Sequence, residues 1–500
     1  MKTYNRNLLR KLAGFYWILW FSYPLVAAVV SDRPNILYIF TDDQSYRTLS
    51  CYDGSYAYAN TPNIDRLAEE GVLFTQAFTG AKCVPSRAST LTGRFQFNVT
   101  KDCTRYWPQD FRAQGYTTGM IGKWHWGKGT EMHQHGVAWD WSVVWDHGQK
   151  HEHRTYYWGQ SVNINGGEPV KLDGYSTDRY TDYTVEFIEE QTAADKPWFF
   201  WLCYGAVHGP YTPAERHKDA YKTAAPTPIP EDIFGPRPGK PRHMDTFTKW
   251  KNQDGMPVHQ DRSFDSWVKQ YNEAVSAIDE GVGRIFKALQ KNGQLDNTII
   301  IFTSDQGFAW GDHGLRDKRY PYDAALRSPF IVYAPKRFAE GAVCDQPVNG
   351  QDIVRTIHSL AEVKPGVSLD GRDLIPLLED PTAGGSWSKL PMIQTYTVNK
   401  YDSEEIEQAI REGDWESLMF DNSPSWMMLH DGRYKYTRYL AKDCIEELYD
   451  LESDPEELDN LAIRIEWKSK LWTMRLATED AFRAKGAGFV DLLPAPRTGF

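Results

Sequence analysis

The chain has 500 residues, 41% of them hydrophobic, with 38 glycines and 28 prolines. That excludes a disordered chain or a disulfide mini-protein and predicts one large domain, or a large one with a small one. A formal charge of −11 leaves no basic footprint for a nucleic-acid backbone. The six cysteines, at Cys51, Cys83, Cys103, Cys203, Cys344 and Cys444, are too sparse for a disulfide framework and lack the spacing of a structural zinc.

The first thirty residues differ in kind from the rest. Arg6, Arg10 and Lys11 precede an apolar run from Leu12 to Val30, and Val26-Ala27-Ala28 places small residues where a signal peptidase would cut. The run is nearly long enough to span a bilayer, but Pro24 and the small residues after it favour an export signal over residues 1–28 rather than a retained anchor. No cysteine stands at the cleavage site to carry a lipid. Removing 1–28 takes away four basic residues and no acidic one, moving the formal charge from −11 to −15. The expected location is periplasmic, extracellular or lumenal, with no stable membrane partner and no nucleic acid.

Asn35 to Thr41 is a short run rich in β-branched and aromatic residues that ends at Asp42-Asp43, which predicts a buried strand feeding a polar loop. Thr61 to Glu70 predicts a helix with Thr61 as cap and Pro62 in the first turn. Thr117 to Ile121 and Trp198 to Tyr204 predict further buried strands, and Trp267 to Asn292 a long helix. Asn297 to Ser304 repeats the pattern of the first strand and ends at Asp305-Gln306-Gly307; Phe330 to Tyr333 follows. Strands alternating with helices predict an α/β fold, a largely parallel sheet covered on both faces. In such sheets ligands sit beyond the carboxyl ends of strands, where both acid pairs fall.

Residues 206–262 are rich in proline, histidine and charge, without periodicity, and read as a long surface excursion. After a break at Pro381 to Ser388, Trp426 to His430, Tyr434 to Tyr439 and Glu447 to Tyr449 predict short antiparallel strands around the turn signal Asp431-Gly432. The expected division is a signal at 1–28, a catalytic domain at 29–385 and a small C-terminal α+β subdomain at 386–500.

Cys83-Val84-Pro85-Ser86-Arg87, followed by Leu91-Thr92-Gly93-Arg94, reads as a loop running into a helix with Cys83 near its start. A helix N-terminus stabilises negative charge through its free N–H groups; a lone cysteine there is more commonly just semi-buried. This segment resembles the signature of type I sulfatases, alkaline-phosphatase-like enzymes in which that cysteine is oxidised to formylglycine (3-oxoalanine), an aldehyde that hydrates to a gem-diol. The likeness runs from Pro34-Asn35-Ile36 to about Pro329 and, more weakly, through Leu448-Tyr449-Asp450 to Asp454-Pro455.

The resemblance implies a sulfuric ester hydrolase and assigns roles. Asp42, Asp43, Asp305 and Gln306, with the residue-83 oxygen, would hold Ca²⁺ or Mg²⁺, and an all-oxygen set suits such a hard cation better than zinc. The family usually has Asn where Gln306 stands. Gly122-Lys123-Trp124-His125 matches a family segment in which Lys123 holds sulfate oxygens and His125 takes a proton from the second gem-diol hydroxyl. His208 would protonate the leaving alcohol after a gem-diol oxygen attacks sulfur. Lys318 falls where the second sulfate-binding lysine belongs, with Arg316 and Arg319 as neighbouring competitors. Arg87 would support residue 83 and the metal-binding acids, a task suited to a rigid, always-charged fork. Tyr322-Asp323 and Arg327-Ser328-Pro329 continue the likeness, although the family commonly has Glu at the position of Asp323. A formylglycine-generating maturation enzyme is the implied partner.

Between Trp124 and Trp158 lie six of the chain's 19 tryptophans (Trp124, Trp126, Trp139, Trp141, Trp145 and Trp158) with His133, His135, His147, His151, His153 and Arg154. The aromatic faces could pack on sugar rings, with the basic residues meeting a second sulfate or a carboxylate; for most of the tryptophans, pinning a long loop to the core is the plainer reading. Export together with this loop favours a sulfated polysaccharide or its oligosaccharides as substrate. The competing readings are an arylsulfatase of broad specificity, a phosphonate or phosphodiester hydrolase of the same superfamily, a zinc phosphatase, which Cys83 argues against, and a non-catalytic sugar-binding relative, for which no catalytic position is visibly missing.

Overall fold

The computed structural model describes residues 33–497 except 101–102, 104, 127–134, 146–154, 194–195, 246, 248, 383–386, 388–390 and 399. The export signal, the expected boundary at 385/386, and His133, His147, His151, His153 and Arg154 lie outside the described residues.

Five parallel strands form the centre of a ten-stranded sheet, in the spatial order Thr298–Ser304, Asn35–Thr41, Trp198–Cys203, Thr117–Lys123 and Trp141–Trp145. Phe330–Tyr333, Val72–Phe74 and Ala342–Cys344 extend one side, and Ser161–Ile164 with Pro169–Lys171 the other. Antiparallel pairing enters only toward the edges.

The continuous apolar runs follow from burial on both faces, since successive strand side chains alternate. Leu37 and Ile39 pack in one core with Ile300, Phe302, Phe200 and Leu202, covered by Ile64 and Leu67 of helix Pro62–Glu69, Tyr180 and Phe187 of helix Ser176–Glu190, and the inward face of helix Phe264–Lys291. Ile36, Tyr38 and Phe40 face a second core with Phe199, Trp201 and Ile301, covered by Leu91 of helix Cys83–Thr92 and by Ile353 and Ile357 of helix Gly350–Leu360.

Two local expectations are corrected. Thr61 occupies the cap position but makes no side-chain cap; its hydroxyl donates to Asp65 Oδ1 at 2.9 Å, so it ties the helix to its own first turn. Residues 206–262 are more than a surface excursion, because Tyr211, Ile233, Met244 and Trp250 are buried. Lys240 Nζ also reaches Tyr449 Oη at 2.8 Å in the C-terminal sheet.

That C-terminal sheet has four antiparallel strands in the order Met392–Tyr396, Trp426–His430, Tyr434–Tyr439 and Glu447–Asp450, with helix Lys468–Ala484 against it. Buried ion pairs tie it to the helix Asp323–Leu326: Lys435 contacts Asp323 as well as Glu457, while the Asp323 amide donates to Glu457 Oε2 at 2.7 Å.

Candidate active site

Cys83 is the first residue of helix Cys83–Thr92; Lys82 precedes it in extended conformation and Gly93 closes the helix at φ 68°. The helix starts beneath the carboxyl ends of two adjacent central strands, each of which delivers acids. Asp42 and Asp43 follow Asn35–Thr41, and Asp305 and Gln306 follow Thr298–Ser304. In-register parallel pairing of Thr41 with Ser304 brings the two pairs together, and the Asp43 amide donates to Asp305 Oδ1 at 3.0 Å.

Around Cys83 Sγ lie Asp42 Oδ1 at 3.2 Å, Asp43 Oδ1 at 3.7 Å, Gln306 Nε2 at 3.3 Å and Lys318 Nζ at 2.9 Å. Lys123 Nζ pairs with Asp42, and Lys318 Nζ with Asp43. Arg87 presents Nη2 and Nε to Asp305 Oδ2 at 3.0 and 3.1 Å, and Nη1 to the Lys123 carbonyl at 2.8 Å. Both Arg87 and Asp305 are fully buried. Gly122 lets Lys123 approach this closely: its φ is 103°, and a Cβ there would stand 1.8 Å from the Cys203 carbonyl oxygen.

Charge dominates the chemistry of the cluster. Burial raises the Asp42 carboxyl, but Lys123, then His208, Arg87 and Lys318 outweigh it and hold the group well below its usual range. Asp305 is pushed up to about 7 by burial and by Asp42, against the pull of Arg87. Burial, reinforced by Asp42, raises the Cys83 thiol, so as a thiol it is a poor nucleophile. Burial lowers Lys318, but Asp43 and Cys83 outweigh it and keep the ammonium charged.

Ligand atoms of Asp42, Asp43, Cys83 and Asp305 lie within 4.8 Å of one another. The three carboxylates supply oxygen donors that fit a hard cation, with the Gln306 amide alongside, its Nε2 toward Cys83 and its Oε1 toward Ser86 Oγ at 3.4 Å; crowding that lifts Asp305 is what such a cation relieves. Three carboxylates face three basic side chains here, so a divalent cation would leave a surplus of positive charge to receive an anion.

His208 closes the open side. Its Nε2 lies 3.6 Å from Asp43 Oδ2, its Nδ1 3.0 Å from the Gly209 carbonyl, and its ring stacks on Tyr156 at 4.3 Å and 5°. Burial lowers it to about 4, against the attraction of Asp43. Tyr157 Oη donates to the His208 carbonyl, so the Tyr156-Tyr157 pair holds this histidine by ring and by backbone. Sequence reasoning missed that pair; its only signal was two adjacent aromatics in a segment read for tryptophan. His125, two residues beyond Lys123, is half-buried with φ 59°.

Of the competitors for the second sulfate-holding position, Lys318 reaches Cys83. Arg319 instead pairs with Asp317 and Asp421 at 3.0 Å, and Arg316 lies against Trp267, Trp310 and Tyr211. In the tryptophan segment most of the rings pack into the protein, as the plainer reading had it. Trp124, Trp139 and Trp145 are 1% exposed or less and Trp126 is 6% exposed, while Trp141 lies against Tyr183, Phe187 and Phe200. Trp158 is 44% exposed.

The family profile "Sulfatase" matches residues 34–363, and "N-sulphoglucosamine sulphohydrolase, C-terminal" matches residues 311–432. The chain belongs to the sulfatase family and is a sulfuric ester hydrolase. It is 28% identical over 505 residues to an N-acetylglucosamine-6-O-sulfatase of Bacteroides thetaiotaomicron, covering 88% of this chain and 84% of the relative. To the mouse iduronate 2-sulfatase it is 32% identical over 342 residues, covering 62% and 61%. A solved structure in complex with its substrate D-glucosamine-2-N,6-O-disulfate superposes with a TM-score of 0.76 at 24% identity, covering 92% of this chain and 99% of that one. The phosphonate monoester hydrolase of Agrobacterium radiobacter superposes at 0.67 with 21% identity, covering 91% and 96%.

Proposed function

We propose that this is an exported sulfatase that cleaves sulfate esters on a sulfated polysaccharide or its oligosaccharides, with formylglycine at position 83 and one bound Ca²⁺, Mg²⁺ being the alternative. The observation that carries the reading is the convergence of Lys318, Gln306 and Asp42 on Cys83 Sγ at the head of a buried helix. A buried thiol with a raised pKa is inert where it stands; an aldehyde hydrate in the same place supplies a hydroxyl nucleophile and a second hydroxyl whose deprotonation can expel sulfate. The sugar class rests on the N-acetylglucosamine-6-O-sulfatase relative and on an ulvan-active sulfatase of Formosa agariphila, 27% identical over 371 residues.

Asp42, Asp43, Asp305 and Gln306 would hold the cation, which when bound polarises the nucleophile and neutralises a sulfate oxygen. Lys123 and Lys318 neutralise the remaining sulfate oxygens as charge moves onto them. Arg87 fixes Asp305 by its two contacts to Oδ2. His208 gives its proton to the departing alcohol oxygen, and the incoming anionic sulfate favours the protonated form of this otherwise depressed imidazole. His125 accepts the proton from residue 83 when sulfate leaves. Export rests on the pattern of residues 1–28; among the described residues, no helix is long and apolar enough to cross a membrane.

Turnover of defined sulfated oligosaccharides, an aryl sulfate and an aryl phosphonate by the matured enzyme tests the reading. Desulfation of a sugar with the highest kcat/KM is expected. Preferred cleavage of the phosphonate would instead favour the activity named for the Agrobacterium neighbour.

A further inference from the structure

Arg316, two residues before Lys318, is a cation that the catalytic cluster leaves unused. Its guanidinium carbon lies 4.4 Å from the Trp267 ring centroid and 5.6 Å from those of Trp310 and Tyr211, three rings that are themselves buried. Its Nη1 meets His259 Nε2 at 3.1 Å, and His259 Nδ1 lies 2.9 Å from the Lys249 carbonyl. A ring nitrogen facing a guanidinium must accept and one facing a carbonyl must donate, so His259 is the neutral tautomer with its proton on Nδ1. The imidazole therefore orients Arg316 without cancelling its charge.

Among the described residues, no carboxylate forms an ion pair with Arg316. The neighbouring arginines differ: Arg319 pairs with Asp317 and Asp421, and Arg47 pairs with Asp312 at 3.0 Å. Arg262 adds to the imbalance, because it stacks on the same Trp267 ring at 4.0 Å. A planar fork held in one orientation by aromatic faces and a neutral acceptor is arranged to receive a carboxylate or sulfate, and pays little ordering entropy when it does.

Its place in the fold indicates which anion. Lys318 reaches Cys83 from the residue just after the short strand Arg316–Asp317, and residues two apart in extended chain are separated by roughly 7 Å. The Tyr211 ring that Arg316 covers belongs to the turn whose amide donates to the His208 carbonyl at 3.2 Å, and His208 faces the cluster from the open side. Arg316 is thus linked to the site twice, through the Tyr211 turn that meets His208 and through Lys318 two residues on, which meets Cys83. We infer that Arg316, oriented by His259 and packed on Trp267, is a subsite for a second anionic substituent, a carboxylate or a second sulfate, on the alcohol part of the sulfated substrate. This rests on the sulfatase reading and adds substrate selectivity to it.

The test compares the matured full-length enzyme with Arg316→Ala, Arg316→Lys and His259→Ala on three saccharides sharing one sulfate ester: one with no other charge, one with an added carboxylate and one with an added sulfate. For the wild type, kcat/KM for one or both dianionic sugars exceeds that for the monosulfate, and the excess shrinks as salt rises. The ratio falls about ten- to a hundredfold in Arg316→Ala, less in Arg316→Lys, which keeps the charge without the fork, and less in His259→Ala. The carboxylate and sulfate arms identify the group bound. A ratio unchanged by substitution, an equal loss on all three sugars, or a wild type indifferent to the second anion would overturn the inference while leaving the sulfatase reading intact. Failure of the wild type to cleave any sulfate ester would overturn that reading itself. Should Arg316→Ala not fold, the Arg316→Lys ratio and the salt dependence of the wild type decide the matter.

Discussion

Lys318 Nζ lies 2.9 Å from Cys83 Sγ while also pairing with Asp43. One ammonium thus bridges the proposed nucleophile position and a carboxylate of the proposed metal set, across 235 residues of sequence. Lys318→Ala is expected to lower kcat/KM for an aryl sulfate by about a hundred- to a thousandfold, the scale of losing one charge-stabilising group in the transition state. Steady-state kinetics on the matured variant measure it; a loss below tenfold would mean that Lys318 serves only to neutralise Asp43.

Chelation is expected to abolish turnover and to lower the thermal midpoint, because three buried carboxylates then repel one another with only the three basic side chains to balance them. Ca²⁺ or Mg²⁺ should restore both activity and midpoint better than Zn²⁺. Asp305→Ala should lose activity that no added metal recovers. Metal analysis alongside calorimetry reads this out, and full activity in a metal-free sample would refute the cation assignment.

His125 and His208 are expected to fail at different steps. His125→Ala should still permit attack on sulfur, so a sulfated residue 83 should accumulate and be visible by peptide mass. In His208→Ala the loss, about a hundred- to ten-thousandfold, should be largest for sugar alcohols and smallest for activated phenols, which depart without a proton. Equal losses on both substrate types, with no trapped sulfated peptide in either variant, would contradict the division.

Acid stability is expected to depend on two histidines away from Cys83, the buried His430 and the half-buried His243. Burial holds His243 and His430 at about 4, and the Gly432 amide donates to His430 Nδ1 at 3.0 Å, which favours the neutral ring. In the unfolded chain both take a proton near the ordinary value of about 6.5. Between those values the unfolded state binds more protons, so stability is full above about pH 6.5 and falls as pH drops toward 4, by on the order of 3 kcal/mol per histidine. Urea unfolding as a function of pH checks the slope, and His430→Asn should reduce it.

The central parallel strands were legible because burial on both faces leaves a continuous apolar run, ended by Asp42-Asp43 after Asn35–Thr41 and by Asp305-Gln306 after Thr298–Ser304. Trp141–Trp145 was not, although Trp-Ser-Val-Val-Trp suits a strand; its tryptophans were read as part of a long loop, and an apolar aromatic looks the same in sequence whether it lies under a sheet, pins a loop or meets a ligand. Met392–Tyr396 was missed because Gln394 and Thr395 break its apolar run; the sheet order, in which Met392 pairs with His430, is a long-range fact without local signal. At the site, residue types following strand ends pointed to Asp42, Asp43, Asp305 and Gln306. Lys318 was chosen over Arg316 and Arg319 on the family resemblance alone, since three basic residues within four positions differ physically only in where their partners lie. Tyr156 and Tyr157 act through contacts with His208, 52 and 51 residues away, and nothing near them in the chain announces that role.

The measurement that bears most directly on the account is the mass of the tryptic peptide Cys83–Arg87 from a sample whose sulfate-ester turnover is determined at the same time, with and without co-expression of a formylglycine-generating enzyme. Activity should rise in proportion to the fraction of residue 83 converted from –CH₂SH to –CHO, and Cys83→Ala should be inactive in either sample. Full activity in a preparation whose residue 83 is entirely thiol, or in the alanine variant, would contradict it.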